Sequence, residues 1–229
     1  MRLIFSALVV ALLSACTPTA QLTPEPPNPA DPTPSFDSSM GSEAATPATL
    51  LTGSGRALSS IERTLSGGIL EIGHADASAT LTVFVAPTAR YSRMFLTDHW
   101  PNLLHTFVDK GTLKIHVTPF VLESEPTSHQ HAEAIHCAAK QGRGRMMLEA
   151  LARDIRPTQA MKDVSADTKA FDACLIDPVN QPIIEWYKQL AIARRVAVVP
   201  AFFLGSFEHA GVSGEADFHG WIREALQAN

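Results

Sequence analysis

The chain has 229 residues, 45% of them hydrophobic and 18% charged, and a formal net charge of −5. That acidic balance, with no cluster of Lys or Arg, argues against a nucleic-acid-binding surface and against a polybasic membrane patch. No internal repeat is visible, and no cofactor is expected.

Arg2 followed by the apolar run Leu3 to Leu13 reads as a cleaved secretion signal, too short to span a bilayer as a mature helix. Leu13-Ser14-Ala15-Cys16 resembles a bacterial lipobox, which implies cleavage before Cys16 and acylation of its thiol and new N-terminus. The alternative is an ordinary secretory signal with an incidental cysteine. Thr17, not Asp, follows the cysteine, which suggests sorting to the outer membrane, facing the periplasm, in a Gram-negative envelope.

Residues 16–54 turn to Pro, Thr, Ser and Ala, with Pro24, Pro26, Pro27, Pro29, Pro32 and Pro34 close together and few large apolar groups. Such a stretch cannot bury enough surface to offset its ordering entropy, so a disordered tether is expected between a signal peptide (1–15) and one domain (55–229). That domain is long enough for a real core. With Cys16 assigned to lipid, Cys137 and Cys174 remain in an oxidising compartment, where two thiols usually pair. The alternative is two buried free thiols acting as small apolar groups.

Leu81 to Val85 is apolar almost throughout, as a central strand is, and it stops at Pro87. A helix from about Tyr91 to Lys110 follows. Met94, Phe95, Leu103, Leu104, Phe107 and Val108 give it an apolar stripe, Pro101 is expected to kink it, and Gly111 to end it. Leu113, Ile115 and Val117 alternate with polar residues as a second strand, completing a β-α-β unit with parallel strands and a right-handed crossover.

A mostly helical stretch comes next. Thr127 and Gln130 have the spacing of a capping box; the helix they open carries Ile135 and Cys137 and ends at Gly142. Met147, Leu148, Leu151 and Ile155 mark another helix, stopped by Pro157. Ser165 is expected to cap a third, with Phe171 and Cys174, and Asp177-Pro178 to start a fourth through Ile183, Trp186, Tyr187 and Leu190. His129, Glu133 and His136 fall at i, i+4 and i+7 of the first of these, with His131 nearby. That face is either a three-ligand metal site or an ordinary solvated one, and the sequence supplies no second set of groups to orient metal ligands.

The apolar run Val196 to Leu204 is broken by Pro200, which fits a strand only at its start, often as a cis peptide. Gly205-Ser206 turns into Phe207-Glu208-His209-Ala210, and Phe218, Trp221, Ile222 and Leu226 define a closing helix.

The segments "IGHADASATLTVF", "VDKGTLKI", "AIHCAAKQG", "FDACL" and "VAVVPAFFLG", in this order, resemble the DsbA family of periplasmic thiol–disulfide oxidoreductases. The resemblance covers about Ile69 to Leu226 and implies an α/β, thioredoxin-like fold with a helical insertion at about 124–195, with Pro200 as the family's cis-proline. It places a Cys-x-x-Cys pair at the first turn of the first helix, where this chain has Ala89-Arg90-Tyr91-Ser92. The cysteine positions are Ala89 and Ser92. A methyl and a hydroxyl cannot replace the attacking and resolving thiols, and the nearest helical histidine to Ser92 is His99, two turns away.

The resemblance therefore implies a redox-inactive module that binds a peptide or another envelope protein through Arg90, Tyr91, Val199 and Pro200, and it suggests that Cys137 and Cys174 form a structural bridge. The alternative is an oxidoreductase or isomerase that uses Cys137 and Cys174.

Overall fold

The computed structural model describes residues 62–164 and 166–228; the leader, Cys16, the Pro-rich stretch, the expected domain start at 55 and Ser165 lie outside them. Among the described residues six strands form one sheet in the order β1-β2-β4-β3-β5-β6. They are β1 (Glu62–Thr64), β2 (Leu70–Ile72), β3 (Ala79–Val85), β4 (Leu113–Pro119), β5 (Ala201–Leu204) and β6 (Phe207–Ala210). β3 and β4 run parallel, from Ala79↔Leu113 to Val85↔Pro119, and all other pairs are antiparallel. The expected β-α-β unit is therefore present. The strands β1 and β2 are additions, too short for a period-2 signal to show in sequence.

The connection from β3 to β4 is a run of helical segments: α1 (Arg90–Met94), a wider π-type turn over Phe95–His99, α2 (Trp100–Leu103) and a second π-type turn over Leu104–Val108. Pro101 lies in the first turn of α2, where its missing N–H is tolerated, so the run stays helical through it and the irregularity falls in the turns on either side. Gly111 stands at φ +72° and its N–H donates to Val108 O at 2.9 Å, which closes the run as expected.

The insertion comprises α3 (Pro126–Ala139), α4 (Gly144–Ala152), α5 (Pro157–Asp163), α6 (Thr168–Leu175), a 3-10 turn (Pro178–Asn180) and α7 (Gln181–Ala193); α8 (Glu215–Gln227) closes the chain. Three expectations need correction. The capping box at Thr127 is absent because Pro126 starts α3 one residue earlier, leaving Glu125 at the cap without a side-chain hydrogen bond. Pro157 does not stop α4, which ends at Ala152; it opens α5, a helix the periodicity missed. The cap of α6 is Asp167, whose carboxylate accepts the Ala170 N–H at 2.9 Å. Asp177 does cap the following turn, accepting from Val179 N–H at 3.0 Å.

Alternation along the strands gives the sheet two unlike faces. Leu81, Val83, Ile115, Val117, Phe202 and Leu204 join one large core with Phe95, Trp100, Phe218 and Ile222. Its centre is aromatic: Phe95 meets Phe202 edge-on with ring centroids 4.8 Å apart, and Phe202 lies 4.7 Å from Phe218. On the opposite face Phe84, Ala201 and Phe203 pack with Ala191 of α7. Further along, the buried carboxylate of Glu71 pairs with Arg63, with His116 Nε2 at 2.8 Å and with Lys114 Nζ at 3.5 Å. Burial pushes the Glu71 pKa up, but the hydrogen bonds from His116 and Arg63 and the charges of Arg63 and Lys114 outweigh it and hold the carboxyl below its usual range. Glu62 ties β1 to the insertion by accepting the N–H groups of Gly144 (2.5 Å) and Arg145 (3.1 Å) at the start of α4.

Phe95→Ala should lower unfolding free energy by about 3–5 kcal/mol in denaturant titrations, whereas Tyr91→Ala, one turn earlier and 57% exposed, should change it by less than about 0.5 kcal/mol. Glu71 has a depressed folded pKa, so its contribution is present above the ordinary carboxylate pKa and lost as pH falls through the depressed value. Glu71→Gln should therefore destabilise the protein at neutral pH and flatten the acid limb of a stability–pH curve; an unchanged acid limb would show that the cluster is not a stabilising one.

Candidate functional site

β3 ends at Val85, and Ala86 to Ala89 carry the chain into α1. The register Phe84↔Ala201 places Pro200, one residue before Ala201, beside the end of β3. The Val199–Pro200 bond is cis. Pro200 therefore stands at the start of β5, where its missing N–H removes no hydrogen bond of the sheet interior, and its carbonyl accepts the Gly211 N–H at 2.8 Å. Val199 makes no backbone hydrogen bond among the described residues, while its side chain packs on the Phe84 and Phe203 cluster. The residues singled out in sequence thus meet at one end of the sheet, the junction bringing Ala89 to Ser92 and the loop before β5 bringing Val199 and Pro200.

Within the junction the side chains divide. Arg90 is exposed, as is Tyr91, and Ala89 is half-buried immediately before the first helical turn. Ser92 is fully buried, and its Oγ accepts the N–H of Ala86 at 3.2 Å. That bond satisfies a backbone donor at the point where the sheet ladder has stopped and the helix has not begun. The hydroxyl is thus committed to holding the turn, and no base stands beside it among the described hydrogen bonds.

Cys137 and Cys174 are joined by a disulfide, with Cα atoms 5.8 Å apart, which fastens α3 to α6. Sequence reasoning missed the residue that accompanies this bridge. Asn180 is buried, and its Nδ2 donates to Cys174 O at 2.5 Å and lies 3.3 Å from Cys174 Sγ. It stands three residues beyond the recognised Asp177 cap, and nothing in its sequence surroundings marks it.

The histidine face of α3 splits. His129 Nδ1 is 3.4 Å from Glu133 Oε1, which also accepts from Gln181 Nε2 at 2.8 Å. His136 is instead buried beneath the turn at Gly68, where an added Cβ would lie 3.1 Å from its Nδ1 and 2.8 Å from the Tyr187 oxygen. Burial lowers the His136 pKa and raises that of Tyr187, whose hydroxyl donates to Gly68 O at 2.6 Å. Among the described residues no group of three or more His, Cys, Asp or Glu side chains is placed to hold a metal ion. Nor, among them, is any helix long and apolar enough to cross a membrane.

A family model described as thioredoxin matches residues 65–224. Among solved structures, the chain is similar to BdbD of Bacillus subtilis at 15% identity and a TM-score of 0.64, covering 73% of this chain and 98% of that one. It is likewise similar to a single-substitution form of alpha-DsbA1 of Wolbachia pipientis, at 19% identity and a TM-score of 0.59, over 69% of this chain and 90% of that one. A periplasmic thioredoxin-like protein of Salmonella enterica serovar Typhimurium matches at 17% identity and a TM-score of 0.56, over 71% and 92% of the two chains. Among curated proteins no sequence matches significantly. With its family match spanning most of its length and a DsbA-like arrangement of sheet and helical insertion, the chain belongs to the thioredoxin family.

Proposed function

We propose that this chain is a lipid-anchored envelope protein whose thioredoxin-like domain binds an extended peptide or partner segment without exchanging disulfides at the strand-to-helix junction. The observation that carries this reading is Ser92: where the family pattern has a thiol, this chain has a hydroxyl that is fully buried and spent on the Ala86 N–H. Ala89, at the position of the attacking thiol, offers only a methyl group. Arg90 and Tyr91 remain exposed beside them, and the backbone of Val199 is free to pair with an extended segment. The junction keeps a place for a peptide and has lost the reagent that would act on it.

The envelope part of the proposal draws on the leader, on Cys16 in its lipobox-like setting and on the Pro-rich stretch of residues 16–54, which would hold the domain away from the bilayer. Thr17 favours the outer membrane, with the domain on the periplasmic side. The similarity to a periplasmic thioredoxin-like protein supports the same compartment.

No exchange with insulin or a reduced peptide should pass through the junction of the wild-type chain, so any exchange seen should vanish in the double variant Cys137→Ser, Cys174→Ser. The double change Ala89→Cys, Ser92→Cys should create exchange activity, since a helix N-terminus favours a thiolate by about 0.3–1 kcal/mol and Arg90 adds a positive charge, bringing the first thiol below about 8.5. Failure of the variant to form an 89–92 disulfide would show that these are not the family's thiol positions. Cys16→Ala should block processing and release the protein from the membrane fraction; normal processing and membrane retention of that variant would dispose of the lipid anchor.

A further inference from the structure

The two sulfurs of the Cys137–Cys174 bridge have unlike surroundings. Cys137 is 1% exposed, whereas Cys174 is half-buried. The bridge borders a surface depression of about 420 Å³ lined by Lys140, Gln141, Ala170, Ala173 and Asp177. Both cysteines line this depression, and Cys174 is the more exposed of the two to a nucleophile arriving from solvent.

Asn180, 2% exposed, lies behind the bridge. Its Nδ2 is 3.3 Å from Cys174 Sγ and 3.9 Å from Cys137 Sγ. The Cys174 carbonyl, 2.5 Å away, fixes this orientation: a flipped amide would set its oxygen against that carbonyl. The helices show why a donor matters here. Cys137 lies near the end of α3 and Cys174 near the end of α6, so neither has the help that a helix N-terminus gives a thiolate. A thiolate expelled there leaves poorly unless an N–H compensates. The Asn180 amide reaches both sulfurs, and Lys140 adds a positive charge on the rim.

We propose that the Cys137–Cys174 disulfide is itself a thiol–disulfide exchange site on the helical insertion, entered at Cys174 and reduced by a dithiol. A thiolate of the dithiol attacks Cys174 Sγ; a new S–S bond forms there, the Cys174–Cys137 bond breaks, and its electron pair leaves on Cys137 as a thiolate within reach of Asn180 Nδ2. The second thiol of the reductant then attacks its own sulfur in the mixed disulfide and releases Cys174. Two electrons pass to the protein, the dithiol becomes a disulfide, and its two protons end on Cys137 and Cys174. The step separates α6 from α3 and leaves the strand-to-helix junction out of the chemistry, so it stands or falls independently of peptide binding there.

Reduced glutathione is the probe that fixes the entry point, because the first sulfur it attacks is marked as a mixed disulfide, which an early quench traps before the freed thiolate or a second glutathione resolves it. The full-length protein, in detergent and without denaturant, is treated with excess glutathione, quenched with iodoacetamide and mapped by peptide mass. The expected product carries glutathione on Cys174 and the alkyl group on Cys137, at least about tenfold over the reverse. Asn180→Ala should slow opening about tenfold while the circular dichroism of the oxidised protein stays the same. A bridge that opens only at urea concentrations that unfold the chain, glutathione found equally on Cys137, or a folded Asn180→Ala protein that opens as fast as wild type would each overturn the proposal. Because the mapping uses the unaltered chain, it decides the point even where the Asn180 variant does not fold.

Discussion

β3 is gripped on both edges, by β4 in parallel and by β5 in antiparallel register, and where its ladder ends every other feature of the junction is set. The pair Phe84↔Ala201 brings Pro200 and Val199 alongside, while Phe120 N–H donating to Val85 O at 2.7 Å closes the other edge. Ala86 is then the first residue past the sheet, and its N–H would be a buried orphan without the Ser92 hydroxyl. One hydrogen bond of a net worth of about 1 kcal/mol thus decides how the chain leaves the sheet for α1, and its loss would leave a desolvated donor costing about 1–3 kcal/mol. This is a structural use of the position where the resemblance to the DsbA family places a thiol.

The central unit is legible in the sequence because its signals are long or chemically unusual. The apolar run through Val85, the alternation of Leu113, Ile115 and Val117, and a proline at the head of an apolar strand each admit few structural readings. What escapes is short or depends on contacts between distant residues. β1 and β2 are held by pairing and by Glu62 capping a helix more than eighty positions away, which no local pattern encodes. Pro157 misleads because proline ends one helix and opens another equally well, and only packing separates the cases. The spacing of His129, Glu133 and His136 does put them on one side of α3, but the turn at Gly68 and Tyr187 of α7 cover the far end and draw His136 inside.

Thiol chemistry and peptide docking share one location in the family pattern, and in the functions proposed for this chain they stand apart. The junction keeps exposed Arg90 and Tyr91 and the unpaired backbone of Val199, while the sulfur atoms lie in the insertion with an amide donor beside them. Such a separation would have a physical advantage: a partner docked at the junction would not be captured as a mixed disulfide, and its residence would be governed by hydrogen bonds and apolar contact alone.

Docking at the junction is most directly tested by following the backbone amide resonances of the isotope-labelled chain while an unfolded, cysteine-free peptide is added. Chemical-shift changes confined to Ala89, Arg90, Tyr91, Val199 and Ala201 are expected, growing with peptide concentration and independent of added reductant. Changes centred elsewhere in the domain, or none at millimolar peptide, would contradict the account.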